Sequence, residues 1–103
     1  YMADNLEDYL LQIVLATRNP GAYGEDLAGW LQYGASPRAS IALDRCARAK
    51  AWLELRDFVG PEDIQAMAFD VLRHRLILSY EAEAEGLTTD HVIKELISRI
   101  AVP

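Results

Sequence analysis

The chain has 103 residues and a net charge of −6, with 51% hydrophobic and 25% charged residues. This length fits one domain with one hydrophobic core, and the composition is ordinary for a globular protein rather than a disordered one. Nucleic-acid binding is disfavoured because phosphate backbones need clustered positive charge, and no apolar run approaches the roughly 18–20 residues that would permit membrane insertion.

The first predicted element is a helix that starts near Asp4. Asp4 and Glu7 have the spacing of a capping box, and Pro20 marks the end of the helix. Its apolar face has helical spacing and comprises Leu6, Tyr9, Leu10, Ile13, Val14 and Thr17. One short helical turn is expected over residues 26–31.

Two further helix starts are visible in the middle of the chain. Ser36 followed by Pro37 predicts a helix with a serine cap and a proline at its first position. Gly60 followed by Pro61 and two acidic residues predicts another helix start. The first of these helices has an alanine-rich stripe, which favours close approach to a neighbouring helix. The stripe comprises Ala39, Ala42, Leu43, Cys46, Ala47, Lys50 and Leu53.

Gly86 and Thr88 predict the start of the last helix. Residues 76–78 are too short to assign by periodicity and fit either a strand or the tail of the preceding helix. The predicted fold is all-α, a small bundle of about four helices, with a short two-stranded β-ribbon between residues 31–33 and 76–78 as an additional candidate.

Arg38 is the most informative candidate site residue. It lies in the first turn of a predicted helix, where the positive end of the helix dipole disfavours a cation unless an anion is nearby. Backbone N–H groups, the dipole and a guanidinium together suit a phosphate group. A solvated surface arginine without function would have the same sequence, so both interpretations stay open on spacing alone.

Other candidates have structural interpretations. Cys46 is predicted to be a buried thiol, and it is too far along the chain from His74 and His91 for a metal site, so no metal is expected. His74, between Arg73 and Arg75, is expected to lie at a helix C-terminus, with a subunit contact as the alternative. Arg45 follows Arg38 by seven residues and is expected to pair with an acid, with a supporting phosphate contact as the alternative.

Three motifs resemble the MoxR family of AAA+ ATPases. Residues 34–39, Gly-Ala-Ser-Pro-Arg-Ala, resemble its sensor-2 motif. Residues 56–64, Arg-Asp-Phe-Val-Gly-Pro-Glu-Asp-Ile, are similar to its signature between two lid helices, and residues 71–75, Val-Leu-Arg-His-Arg, to a third element. Their order and spacing match over roughly residues 4–100. Leu55 departs from the pattern, since glycine is common there.

The resemblance implies that residues 4–103 are the C-terminal helical lid of an AAA+ ATPase. Residues 1–3 are an unusual start, which indicates a fragment or a vector junction, and they are left out of the predicted domain. In the family, the sensor-2 arginine contacts the γ-phosphate of ATP, so Arg38 is the expected catalytic residue, with Ser36 and Pro37 beside it in the cofactor-binding loop. ATP and Mg²⁺ are expected in the full-length protein. None is expected in this chain alone, which lacks a phosphate loop and should be inactive.

The resemblance also implies partners. These are the protein's own N-terminal nucleotide-binding subdomain, neighbouring subunits of a hexameric ring and von Willebrand factor A-domain proteins, in chaperone-like maturation of other complexes. The lone cysteine fits a cytoplasmic location. The alternative is a free-standing helical protein-interaction module with no link to ATP.

Overall fold

The computed structural model describes all 103 residues, which form four long helices, two short helices and two short strands. The long helices are α1 (Asp4–Ala16), α3 (Ala39–Leu53), α4 (Pro61–Leu72) and α6 (Thr89–Ser98). The short elements are a 3-10 turn (Pro20–Ala22), α2 (Glu25–Trp30), β1 (Leu31–Tyr33), β2 (Ile77–Leu78) and α5 (Tyr80–Ala84). The predicted helical bundle is confirmed, and α2 lies where one short turn was expected.

Small side chains on α3 let it pack closely against α4 and α1. Its buried face steps every four residues and comprises Ala39, Leu43, Ala47 and Ala51. The predicted stripe was wrong at its end, since Leu53 is exposed and Ala51 faces the core instead. An α-helix has about 3.6 residues per turn, so residues spaced four apart lie at gradually changing positions around the helix axis. By the end of α3 the contact face therefore includes Ala51 and no longer includes Leu53.

The predicted β-ribbon is confirmed. Strands β1 and β2 pair antiparallel, with Leu31 opposite Leu78 and Tyr33 opposite Ile77. The Ser79 N–H donates to the Trp30 carbonyl at 2.7 Å, which continues the pairing beyond the strands. Residues 77–78 are therefore a strand rather than a helix tail, and the ribbon ties α2 to the segment between α4 and α5.

Two helix starts differ from the prediction. The Asp4–Glu7 capping box is wrong, because Ala3 precedes α1 and its carbonyl accepts the N–H groups of Leu6 and Glu7. Helix α3 begins at Ala39 rather than at Pro37, because residues 36–38 form a tight turn first. The start of α6 is as predicted, with the Thr88 hydroxyl accepting the His91 N–H.

Met2 and the backbone of Tyr1 attach the start of the chain to the rest of the domain. Met2 is only 5% exposed and belongs to the core, and the Val59 N–H donates to the Tyr1 carbonyl at 2.8 Å. No helix of the chain is long and apolar enough to cross a bilayer.

Candidate functional site

The segment 34–38 connects β1 to α3 and is fastened to the end of α1. The buried Thr17 hydroxyl accepts the Ala35 N–H at 2.9 Å and donates to the Val14 carbonyl at 2.6 Å. Arg18 donates to the Ala35 carbonyl at 3.3 Å. Both backbone groups of the buried Ala35 are thus satisfied by the two residues that follow α1, which fixes the loop before it reaches Arg38.

Gly34 makes this close approach feasible. A Cβ atom at Gly34 would overlap the Thr17 carbonyl and the Arg18 nitrogen, and both belong to the backbone. Only glycine allows the loop to lie against the end of α1 at this distance.

The turn before α3 positions Arg38. The Ser36 hydroxyl accepts the Arg38 N–H at 3.3 Å, and the Ser36 carbonyl accepts the Ala39 N–H at 2.8 Å. The Ser40 hydroxyl donates to the Pro37 carbonyl at 2.7 Å. The Arg38 backbone is therefore held on both sides while its side chain is exposed. Its guanidinium contacts no acid.

Arg38 is one of three cations of this acidic chain that have no partner within the chain. Five of the ten Lys and Arg side chains pair with carboxylates, namely Arg48, Lys50, Arg56, Arg73 and Arg99. Two bind backbone carbonyls, namely Arg18 and Arg75. Three make neither contact, namely Arg38, Arg45 and Lys94. An unpaired guanidinium is free to bind an external anion, since it loses no internal partner on doing so.

The acid partner expected for Arg45 is absent, so that prediction was wrong. Arg45 is exposed and lies about 10 Å along α3 from Arg38, on a similar side of the helix. Its nearest acidic sequence neighbour, Asp44, is bonded to Arg48 instead.

The remaining candidates have structural roles. His74 is exposed beyond the C-terminus of α4, and Arg75 donates to the Val71 carbonyl there at 2.6 Å. Cys46 is half-buried rather than buried, because it lies at the edge of the α3 contact face. No group of three or more metal-ligating side chains converges in the chain.

A second electrostatic feature lies at the other end of α3 and was missed from the sequence. The fully buried Asp63 accepts hydrogen bonds from Arg56, from Lys50 at 3.1 Å and from the Gly60 N–H at 2.8 Å. The hydrogen bonds from Arg56 hold the pKa of Asp63 well below its usual range, and burial opposes them only in part. This network joins the end of α3 to the start of α4, and its buried carboxylate is fully satisfied by groups of this chain, so we assign it to stability.

The comparison with protein families identifies the class. The sequence of residues 28–96 matches the protein family described as the AAA lid domain, and these residues include segment 34–38, α3, α4 and the ribbon. The chain belongs to this family.

Its relatives define the branch of the family. Chaperone MoxR1 of Mycobacterium tuberculosis is 41% identical over 99 residues, which are 95% of this chain and 26% of that protein. Protein MoxR of Paracoccus denitrificans is 38% identical over 105 residues, covering 95% of this chain and 31% of that protein. The chain is a lid domain of the MoxR family of AAA+ proteins.

A solved structure has the same fold. The crystal structure of a "putative ATPase" from Cytophaga hutchinsonii superposes with a TM-score of 0.92 at 45% identity and covers 99% of this chain. The chain spans 31% of that protein and 26–31% of the curated relatives, that is, between a quarter and a third of their length.

Proposed function

We propose that the chain is the lid of a MoxR-type ATPase and that Arg38 is its sensor-2 residue. In this proposal the guanidinium binds the γ-phosphate of an ATP molecule that the nucleotide-binding subdomain of the same protein holds. The observation that supports it most directly is the combination of a fixed backbone and an unpaired, exposed guanidinium at Arg38.

The residues present fit a phosphate ligand. An arginine can donate two parallel hydrogen bonds to a phosphate, and such charge-assisted bonds are roughly twice as strong as neutral ones. Ser36 and Pro37 contribute by positioning the turn, through the contacts that their own polar groups make with Arg38 and Ser40. Mg²⁺ would be held outside this chain by the nucleotide-binding subdomain, and it would neutralise charge on the phosphates during hydrolysis.

The lid acts as a two-state element in this proposal. Bound ATP gives Arg38 an anionic partner and favours the closed lid, and loss of the γ-phosphate on hydrolysis removes that partner. The name of one relative, chaperone MoxR1, supports a chaperone-like role in remodelling partner complexes. The sequence resemblance to the MoxR family adds a hexameric ring, von Willebrand factor A-domain partners and a cytoplasmic location to the proposal. Membership of the AAA lid family favours this proposal over a free-standing interaction module.

The test is ATP turnover of the full-length protein with Arg38→Ala. Loss of a charge-assisted contact to the reacting phosphate should slow turnover by about tenfold or more. Arg38→Lys should recover only part of the rate, because an ammonium group cannot make the two-pronged contact.

Lys94→Ala is the matched control. Lys94 is also exposed and unpaired, but it lies on α6, so its removal changes the net charge equally and should leave turnover unchanged. Unchanged turnover in Arg38→Ala, or an equal loss in both variants, would show that Arg38 is not a sensor.

A further inference from the structure

Large apolar side chains are exposed where α3 ends and the loop to α4 begins. Trp52 is 74% exposed, Leu55 93% and Phe58 56%. Trp52 and Phe58 flank a cleft of about 360 Å³, which we call the Trp52 cleft. Its wall also includes Tyr1, Ala51 and Val59, together with the charged residues Arg48, Arg56 and Asp57. Exposed apolar surface of this kind in one place is typical of a contact that another segment completes.

The backbone beside the cleft has an incomplete β-pairing. The Tyr1 nitrogen donates to the Asp57 carbonyl at 3.1 Å, and the Val59 N–H donates to the Tyr1 carbonyl at 2.8 Å. Two bonds from one residue to the residues on either side of Phe58 form the repeating unit of a parallel β-ladder. Tyr1 therefore runs in the same direction as residues 57–59 and lies beside them.

The open position of this ladder precedes Tyr1. In an extended strand, the N–H and the C=O of one residue point to the same side. The Asp57 carbonyl already accepts from Tyr1, and the Asp57 N–H has no acceptor in the structure. A residue shortly before Tyr1, continuing the same direction, would bring its carbonyl to this free N–H.

We propose that the segment immediately before Tyr1 in the full-length protein forms a short β-strand that continues Tyr1, accepts the Asp57 N–H with the carbonyl of the residue two positions before Tyr1, and covers the Trp52 cleft. The inference rests on the proposed function, because it takes the chain as part of a longer ATPase, as the 26–31% coverage of its relatives supports. It also takes Tyr1 as a native residue, which the burial of Met2 beside it supports.

The occupant is the chain's own segment rather than a second copy because of proximity. A segment joined covalently to Tyr1 lies at the edge of the cleft at an effective concentration in the millimolar range. A strand added to an open edge gains backbone hydrogen bonds, while alternate side chains enter the neighbouring pocket. We therefore expect apolar residues at alternate positions of that segment.

This strand would hold the end of α3 opposite to Arg38. Trp52 follows Arg38 by two heptads, roughly 20 Å along the helix. The lid would then be joined to the nucleotide-binding part by a packed strand rather than by a free linker, and α3 would connect that joint to the phosphate.

Cysteine labelling of the full-length protein tests the inference. In a background with other reactive cysteines replaced, Trp52→Cys is compared with Leu53→Cys, using a maleimide probe. The two positions are equally exposed in the isolated chain, at 74% and 73%, but Leu53 lies outside the cleft. We expect labelling of Trp52→Cys to be slower by about tenfold or more, with Leu53→Cys labelled freely.

A second variant identifies what covers the cleft. A Gly-Ser insertion directly before Tyr1 moves the native segment out of register and should restore labelling of Trp52→Cys. Equal labelling of the two cysteines overturns the inference, as does protection that survives the insertion. Protection that appears only at high protein concentration or only with ATP would assign the cleft to a second copy and would also overturn it.

Hydrogen exchange adds a backbone readout. The Asp57 amide of the full-length protein should exchange more slowly than expected for an exposed loop, and the insertion should abolish this protection. These measurements do not involve Arg38. Unchanged ATP turnover in Arg38→Ala would overturn the sensor-2 assignment but would not affect these measurements. The failure of either proposal can therefore be recognised separately.

Discussion

Arg56 and Asp63 form a two-pronged ion pair between the end of α3 and the first turn of α4. Arg56 Nη1 donates to Asp63 Oδ2 at 2.6 Å, and Nη2 donates to Oδ1. Asp63 has no exposed surface, whereas the Arg56 side chain is one-quarter exposed. The same carboxylate accepts the Gly60 N–H, so one buried group both starts α4 and anchors the loop that precedes it.

Asp63→Ala should lower the free energy of unfolding by about 3 kcal/mol, because removing one partner leaves other charged and polar groups unpaired in a buried site. Arg56, Lys50 and the Gly60 N–H would all lose an acceptor. Chemical denaturation followed by circular dichroism measures the change. Glu62→Gln is the control, since Glu62 is adjacent, exposed and unpaired, and it should stay near the parent value.

The Asp26–Arg99 pair predicts an acid-dependent loss of stability. Hydrogen bonds from Arg99 lower the pKa of Asp26 to about 2. A carboxyl whose pKa is lowered by folding stabilises the protein above its unfolded pKa of about 4, and this contribution is lost as the pH falls through the folded pKa. Asp26→Asn should therefore destabilise the protein at neutral pH. The difference in free energy of unfolding between the parent and the variant should shrink as the pH falls below about 4 and be nearly lost at a pH of about 2.

Denaturation curves at several pH values measure this effect. Glu25→Gln is the matched control, because Glu25 is the neighbouring acid in the same helical turn and has no ion pair. If Asp26→Asn lowered the free energy of unfolding by the same amount at neutral pH and at a pH of about 2, the result would contradict the pKa shift of Asp26.

Local signals predicted some parts of the fold correctly. The starts of α4 and α6 depend on residues within three positions of the helix end, namely Pro61 and Thr88, and both were placed from the sequence. Helix α1 does begin at Asp4, but the predicted capping box is wrong because Met2 is buried in the core and Ala3 occupies the helix boundary. That contact is tertiary, and no local pattern reports it.

The candidate site likewise contains one residue that a local signal predicted and others whose contacts are distant in sequence. Arg38 was singled out because its charge opposes the helix dipole, which is a local argument. Thr17 and Arg18, which hold the loop, bond to Ala35 across 18 and 17 positions of sequence. Lys50 and Arg56 bind Asp63 across 13 and 7 positions of sequence. The one local hint was Thr17, a polar residue on an otherwise apolar helix face.

Leu55 has a left-handed backbone conformation that glycine would adopt without strain. Its φ is 61°, and the turn is a Schellman motif in which Arg56 N–H donates to the Ala51 carbonyl and Leu55 N–H to the Trp52 carbonyl. Leu55→Gly should raise the free energy of unfolding by about 1 kcal/mol, because it relieves the Cβ–carbonyl crowding.

Thermal and chemical denaturation measure this gain. Leu55→Ala serves as the control, since it removes most of the exposed apolar side chain but keeps the Cβ atom, and it should give little or no gain. Equal stabilisation by both substitutions would show that loss of apolar exposure, not backbone strain, is responsible.

Gly34→Ala should loosen the attachment of the Arg38 loop. The added Cβ would overlap the Thr17 carbonyl, and because this is backbone, the loop must move away. We expect a loss of about 2 kcal/mol in the free energy of unfolding, as is usual for overpacking. The Ala35–Thr17 hydrogen bond would weaken at the same time, and since that bond fixes the segment leading to Arg38, ATP turnover of the full-length protein should fall too.

Gly29→Ala provides the comparison of opposite sign. Gly29 lies inside α2 and has open space around it, so an added methyl group should stabilise the helix by roughly 0.5–1 kcal/mol. The two variants carry the same chemical change, so opposite signs would show that the loss at Gly34 comes from its close approach to the end of α1 and not from replacing glycine by alanine in general. If Gly34→Ala lowered stability but left turnover intact at a temperature where the protein stays folded, the loop contact would support the fold without positioning Arg38.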